Sequence, residues 1–328
     1  MEFRQLKYFL AIVDVGSVSR AAEHLHVAQS ALSKQVSELE AELEVRLLQR
    51  GRNGVSATDA GKVFYEYARG ITKQIADARV AVHCAADAVV GTVILALPQS
   101  VAAMLALPLM RAAASRYPNI VFQVNEELTG NMTDQLLRGR VDIAVFTDQM
   151  PAQDVEFTPL VEEPFVLLCP AHDAHALPPG EVSIEQALAR PLVLPSTHHG
   201  HCTRGIVDAA LAAAGLGAQP IAVEINSVYV LKSAVEAGVG PTIMPLGLAQ
   251  REVEDGRLTA HRIRGSALSR VLGLCVSRHL PGSSAKRAIG ALIAEVVREL
   301  CDGGLWEGAH PLTGEREYDA SAAPAAAC

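Results

Sequence analysis

Apolar residues recur at two different periods along this chain, and the change from one to the other near residue 91 limits what it can fold into. Before that point they fall at spacings of three and four, as on amphipathic helices. Beyond it, short runs rich in Val, Ile and Leu alternate with helical segments, as in α/β folds. A helical N-terminal body followed by an α/β body is therefore expected. The 328 residues are enough for each to bury a core of its own.

Phe3, Leu6, Leu10 and Val13 predict a helix over residues 2–14, stopped by Gly16. Ser17 is placed to cap a short second helix over 18–25, with Val18, Ala21, Ala22 and Leu25 inward. After His26, Val27 and Ala28 a third helix over 29–43 buries Leu32, Val36, Leu39 and Leu43. Gln29, Ser30, Ser33, Lys34 and Ser37 share its outer face, where a recognition helix offers groups to base edges and phosphates. Glu38, Glu40, Glu42 and Glu44 are expected to face away from DNA. Residues 45–56 read as two short strands around a glycine-marked turn, a wing whose Arg50 and Arg52 touch phosphates. The same spacings also suit a plain three-helix bundle with a solvated polar face.

Bulk electrostatics lends DNA binding no support. Over residues 1–58, Arg4, Lys7, Arg20, Lys34, Arg46, Arg50 and Arg52 are balanced by Glu2, Asp14, Glu23, Glu38, Glu40, Glu42 and Glu44, so the net charge of −8 falls on the remainder. Binding then depends on where a few cations sit. A longer helix opens at Thr58, with Phe64, Ile71 and Ala78 in one heptad column and Ala68, Ile75 and Val82 in its partner. That seam suits pairing between two protomers or packing on its own domain. Pairing would present two recognition helices to a two-fold-related DNA site.

The opening Met1 to Phe9, the run Gly16 to Leu25, the run Gln29 to Val36, Leu39-Glu40, and Arg50 followed by Thr58 to Gly61 resemble the LysR-type transcriptional regulators in order and spacing. Ala28 departs from the family's usual Ser before the Gln. In this, in the Leu6-Lys7-Tyr8-Phe9 opening and in the run Ile12 to Ser17, the chain is similar to the nitrogen assimilation control subgroup. The resemblance implies a winged helix-turn-helix at 1–58, a linker and dimerisation helix at 59–90, and a two-lobed, periplasmic-binding-protein-like effector domain at 91–301. Lobe I would take 91–162 and 267–301 and lobe II 163–266, while residues 302–328, rich in Gly, Ala and acidic residues, are expected from composition to form a mobile tail. The resemblance also implies double-stranded promoter DNA, a small anionic effector and RNA polymerase as partners, and a homodimer or homotetramer. Arg4 and Ser17 join the residues expected on DNA.

In the second half, strands and helices alternating at this length predict a parallel sheet, with ligands beyond the carboxyl ends of its strands. Gln99, Ser100, Val101, Thr129 and Phe146 lie just past those ends in lobe I, and Ser100 and Thr129 are placed to precede helices. Ser196, Thr197 and His198 of lobe II would face them. The run His198-His199-Gly200-His201-Cys202 could bind zinc, copper or nickel, but adjacent ligands in one short loop satisfy tetrahedral geometry poorly. A polar, ligand-lining loop is the better reading, with no metal or cofactor expected. The six cysteines are scattered without a C-x-x-C pair.

Two other function classes fit parts of the chain. A transporter's solute-binding protein would explain the two lobes but not ninety additional N-terminal residues, nor an opening without a signal core. An enzyme lacks a nucleophile-base-orienter set. With no run of about eighteen apolar residues, the expectation is a cytoplasmic regulator and not an enzyme.

Overall fold

The computed structural model describes residues 1–51, 54–83, 89–127, 129–147, 153–173, 177, 180–188, 190–196, 202–213, 215, 221–264 and 268–312. Arg52, Thr197, His198 and residues 313–328 of the expected tail lie outside the described residues, as do the side chains of Thr129 and Cys202. The chain forms two compact bodies, one from Met1–Ala88 and a larger one that begins at Val89.

The first body packs helices α1 (Phe3–Val15), α2 (Val18–His24) and α3 (Gln29–Glu42) around Phe9, Ile12, Leu32, Leu39 and Leu47. Each fully buried side chain of this size contributes roughly 1.5–3 kcal/mol. A reciprocal capping box between Glu2 and Gln5 starts α1, and Gly16, at φ 69°, closes it. The wing consists of β1 (Leu48–Gly51) and β2 (Gly54–Ala57), antiparallel. It is fastened to the α1–α2 turn by Val55 N–H donating to Gly16 O at 2.9 Å. Gly54 is required there: its φ is 119°, and a Cβ would stand 2.4 Å from Gly16 O.

Helix α4 (Asp59–His83) follows. Thr58 Oγ1 caps it by accepting from Gly61 N–H at 3.0 Å and donates to Arg46 O at 2.7 Å. A Cβ at Gly61 would lie 1.9 Å from Leu47 O, so the helix can approach the wing only with glycine there. One detail departs from expectation: Leu43 lies beyond the end of α3 and is exposed rather than buried. Glu40, expected only to face away from DNA, is buried. Of the seam on α4, Phe64 packs on its own domain, its ring meeting Phe9 edge-on at 5.2 Å, while Ile71, Ala78 and Val82 are exposed, and the large exposed apolar residues of α4 are Val63, Tyr67, Ile71 and Val82.

The second body is built on a sheet. Strands β3 (Gly91–Leu97), β4 (Ile120–Glu126) and β5 (Ile143–Thr147) are parallel, in the order β4-β3-β5, with α5 (Gln99–Arg116) and α6 (Thr129–Leu137) as crossovers. The sheet is mixed rather than purely parallel, because β6 (Val155–Pro170) and β12 (Ser269–Ser277), which connect the lobes, are antiparallel to each other, and β12 is antiparallel to β5. Strand β6 spans both lobes. Its first half pairs with β12, and its second half with β10 (Thr242–Pro245) and β11 (Leu258–Ile263). The β6–β12 register slips between Leu272 and Gly273, where a Cβ on the glycine would strike the Phe157 ring at 2.3 Å.

In lobe II, β7 (Glu181–Val182) pairs with β11, and α7 (Ile184–Ala187), α8 (Cys202–Ala213), α9 (Val228–Glu236) and α10 (Gln250–Glu254) surround the strands. Strands β8 (Leu192–Leu194) and β9 (Ile221–Glu224) pair in parallel. Lobe I is closed by α11 (Ser284–Asp302), which buries Ile289, Leu292, Ile293, Val296 and Val297 against it.

Residues 302–312 are not the mobile segment the composition suggested. Trp306, the chain's single tryptophan, is buried in the lobe I core, and β13 (His310–Pro311) pairs with β6. Trp306 Nε1 donates to Glu163 Oε1 at 2.6 Å, while Glu163 Oε2 accepts from Arg270 Nε, also at 2.6 Å. Both charged side chains are almost fully buried. Removing one partner of such a pair strands the other charge in a low-dielectric interior. Glu163→Ala is expected to lower stability by about 3–5 kcal/mol in chemical denaturation of the full chain, and more than a Glu163→Met, Arg270→Met double variant does.

Candidate nucleic-acid interface and ligand cleft

Helix α3 begins directly after a tight turn in which His26 takes a left-handed conformation at φ 54°. Ala28 caps it without a side-chain hydrogen bond. Gln29, Ser30, Lys34 and Ser37 are exposed on one face and Ser33 is half-buried among them. Lys34 is 3.7 Å from Glu38 one turn on, a weak, solvent-screened pair that leaves the ammonium available. Ser17 is spent on capping, accepting from Arg20 N–H at 3.4 Å. Arg4 is exposed beside Glu2 at 3.6 Å, and Arg50 is exposed on β1.

Sequence reasoning gave Glu40 no part, yet it fastens the wing to α3. Its Oε1 accepts from Leu47 N–H at 2.8 Å and Leu48 N–H at 2.9 Å, and its Oε2 pairs with Arg46 at 3.4 Å. A carboxylate eight residues before the strand it holds has no local pattern to announce it.

The larger body carries a cleft cavity of about 320 Å³ between its lobes, within the range of about 300–1,000 Å³ for small-molecule sites. It opens beyond the carboxyl ends of β3, β4, β8 and β9, through Gln99, Glu126, Pro195 and Ser227. Gln99 and Ser100 line it as expected, although α5 starts at Gln99, which puts Ser100 inside the first turn rather than before the helix. Val101 and Phe146 are buried in lobe I and are not among the lining residues. Ser196 is buried next to Pro195, which does line the cavity. Thr129 opens α6.

Arg270 and the pair Glu126 and Glu127 were missed, and all three line the cavity. Arg270 Nη1 donates to Ser100 Oγ at 3.1 Å, so the hydroxyl is held by the buried ion pair. Gln99 Oε1 accepts from Val228 N–H at 2.8 Å, a direct bridge from lobe I to the first turn of α9 in lobe II. Among the described residues no group of His, Cys, Asp and Glu is arranged to hold a metal ion. Burial pushes the thiols of Cys169, Cys275 and Cys301 up, that of Cys301 to about 11, so none is a ready nucleophile.

Comparison with known proteins places this geometry. The bacterial regulatory helix-turn-helix protein family of lysR type matches residues 3–62, and the LysR substrate binding domain matches residues 86–298. The chain belongs to the LysR family. Its members are transcriptional regulators, not enzymes, with a DNA-binding helix-turn-helix and an effector-binding domain. The nitrogen assimilation regulatory protein Nac of Escherichia coli is 33% identical over 298 residues, 90% of this chain and 95% of that protein. Nac of Klebsiella aerogenes is 32% identical over the same shares. Among solved structures, a full-length OxyR variant from Pseudomonas aeruginosa superposes with a TM-score of 0.69 at 22% identity, covering 91% of this chain and 98% of that one. CbnR, a LysR family regulator, gives 0.63 at 24% identity over 91% and 99%. These two likenesses establish the two-lobed fold of this LysR chain. No described helix is long and apolar enough to cross a membrane.

If Glu40 holds the wing on this regulator, Glu40→Ala leaves two backbone donors without their acceptor, at about 1–3 kcal/mol each when buried. Amide hydrogen exchange at Leu47 and Leu48 is expected to speed up at least tenfold, with exchange in α11 unchanged.

Proposed function

We propose that this LysR-family regulator binds promoter DNA through α3 and its wing, and that a small effector in the cleft sets the arrangement of the lobes. The observation that carries the reading is the exposed polar stripe of α3, Gln29, Ser30, Lys34 and Ser37, which heads a helix of the right length to enter a major groove. Ser33 lies within that stripe, and Arg50 extends the positive edge toward the backbone. A solved CbnR complexed with its target DNA has this fold, with a TM-score of 0.53 at 22% identity over 90% of this chain and all of that one. Exposed Val63, Tyr67 and Ile71 on α4 support pairing of two copies, which would put two α3 helices on a two-fold site. Contact with RNA polymerase and a cytoplasmic location follow from action at promoters.

The effector we infer is small and carries an anionic group. Its acceptor oxygens would replace the Gln99 carboxamide oxygen at the N-terminus of α9 and meet Ser100 Oγ, held by Arg270. Glu126 and Glu127, also in the lining, would pair with a donor on the same effector. A ligand shifts the lobes only by its differential affinity for their two arrangements, and displacing the Gln99 bridge provides that difference.

Gel shifts on the promoter region of the protein's own gene test the DNA reading. Ser33→Ala and Lys34→Ala should each weaken specific binding by about 1–3 kcal/mol while the fold is retained. Arg50→Ala should weaken binding to all sequences and lower the salt slope by about one unit. Unchanged operator affinity in all three would remove α3 and the wing from the interface. For the cleft, metabolites are titrated by calorimetry and footprinting. Ser100→Ala should blunt the effector response while operator affinity without effector stays within about twofold, and Gln99→Ala, which deletes the bridge, should reproduce part of the response without effector and respond less to it. An effector that acts equally on both variants would place its site elsewhere.

A further inference from the structure

Three helices of the larger body begin at the cleft. Helix α5 opens at Gln99 behind Pro98, with no side-chain cap over its first turn. Helix α9 opens at Val228, whose N–H donates to Gln99 Oε1 at 2.8 Å, and Thr203 in the first turn of α8 lines the same space. The leading turn of a helix carries amides without intrahelical acceptors and the positive end of its dipole. This part of the lining therefore favours a carboxylate.

The fixed charges of the cleft favour the opposite sign. Among the described lining residues Arg270 is the one cation, and Glu163 neutralises it at 2.6 Å from outside the cavity. Glu126 and Glu127 line the cleft with no cation partner among the described residues. A ligand bringing only negative charge to the helix ends would meet two uncompensated carboxylates, and like charges so placed are repelled. A ligand bringing only positive charge would leave the helix ends unanswered.

The two demands lie close together. Glu126 is opposite Leu97 in the parallel β3–β4 ladder, and Glu127 N–H donates to Leu97 O at 2.9 Å, two residues before Gln99. Neighbouring strands are about 4.8 Å apart. One molecule with a carboxylate and an ammonium on adjacent carbons can meet the head of α5 and the end of β4 together. The remaining wall is apolar: Leu231 of α9, Met244 of β10 and Leu248 are buried in one cluster and reach the cavity.

We propose, resting on the reading of the cleft as the effector site, that its ligand is an α-amino acid with an apolar side chain of medium size. The carboxylate takes the helix ends and Ser100, the ammonium takes Glu126 and Glu127, and the side chain lies on Leu231, Met244 and Leu248. The charge pattern thus selects against the corresponding simple acids and amines, which share the hydrocarbon body but carry one charge.

L-leucine, L-methionine and L-phenylalanine are the probes, titrated into the full-length protein and followed by methyl NMR. At least one is expected to shift the methyls of Leu231, Met244 and Leu248 saturably. For leucine the single-charge analogues are 4-methylpentanoate, which lacks the ammonium, and 3-methylbutylamine, which lacks the carboxylate. The analogues of methionine and phenylalanine are made in the same way. Each analogue should bind at least tenfold more weakly than its amino acid. Glu126→Gln combined with Glu127→Gln should weaken the amino acid at least tenfold and the deaminated acid not at all. The proposal is overturned if none of the three amino acids gives saturable shifts, if the shifts fall outside the cleft, or if the deaminated acid binds as tightly as its amino acid. In that last case the cleft still takes an anion, and the reading of it as an effector site stands without the ammonium. Undiminished binding of the amino acid in the double variant overturns it as well, and the analogue comparison on the unaltered protein decides the matter should that variant not fold.

Discussion

The Arg270–Glu163 ion pair sits where the strands pass from one lobe to the other, and the geometry of the cleft depends on it. The two residues are opposite one another in the β6–β12 ladder, both buried, and neither charge is tolerable there without the other. Glu163 uses its second oxygen on Trp306, which follows α11, and Arg270 uses a second nitrogen on Ser100 at the head of α5. Four segments far apart in sequence are thereby tied at one point. A ligand that engages Ser100 acts on a hydroxyl already wired to the crossing strands, so occupancy of the cleft and the set of the lobes are parts of one polar network.

The DNA-binding body uses the same device at smaller scale. Glu40 takes two backbone donors of the wing into the interior, and the glycines at 54 and 61 let the wing lie against the α1–α2 turn and α4. The orientation of Arg50 relative to Ser33 and Lys34 is thus fixed from within the domain by backbone contacts. In a segment whose formal charges cancel, that placement is what can turn a few cations into a binding surface.

Helical periodicity made the three N-terminal helices legible nearly to the residue, because amphipathic spacing reports which face is buried. It failed at Leu43, where the helix ends one residue early, and it could not choose at Phe64, where one apolar spacing serves both a domain core and a seam. Alternation of strands and helices exposed the parallel part of the sheet, but the direction of β6 and β12 is set by pairing across more than a hundred residues and leaves no local trace. Gln99 and Ser100 were legible as cavity-lining positions because clefts in such sheets open at strand ends. Arg270 was not, since an arginine at the start of a strand looks solvated until its partner is known. The small, polar and glycine-rich composition after Cys301 hid Trp306, whose single ring outweighs its surroundings once packed. Arg52, Thr197 and His198 lie outside the described residues and add nothing on either side.

Strand β6, sixteen residues long, belongs to both lobes at once. At about 3.3 Å per residue it runs for roughly 50 Å, and its ladder to β12 is interrupted only by the slip at Leu272 and Gly273, close to Arg270. Two lobes threaded on one continuous strand cannot swing apart as if joined by a flexible loop. They turn about a torsion bar, with its compliance concentrated at the bulge. The stroke available to any signal is then an angle of winding, bounded by the twist the ladder absorbs before its hydrogen bonds part.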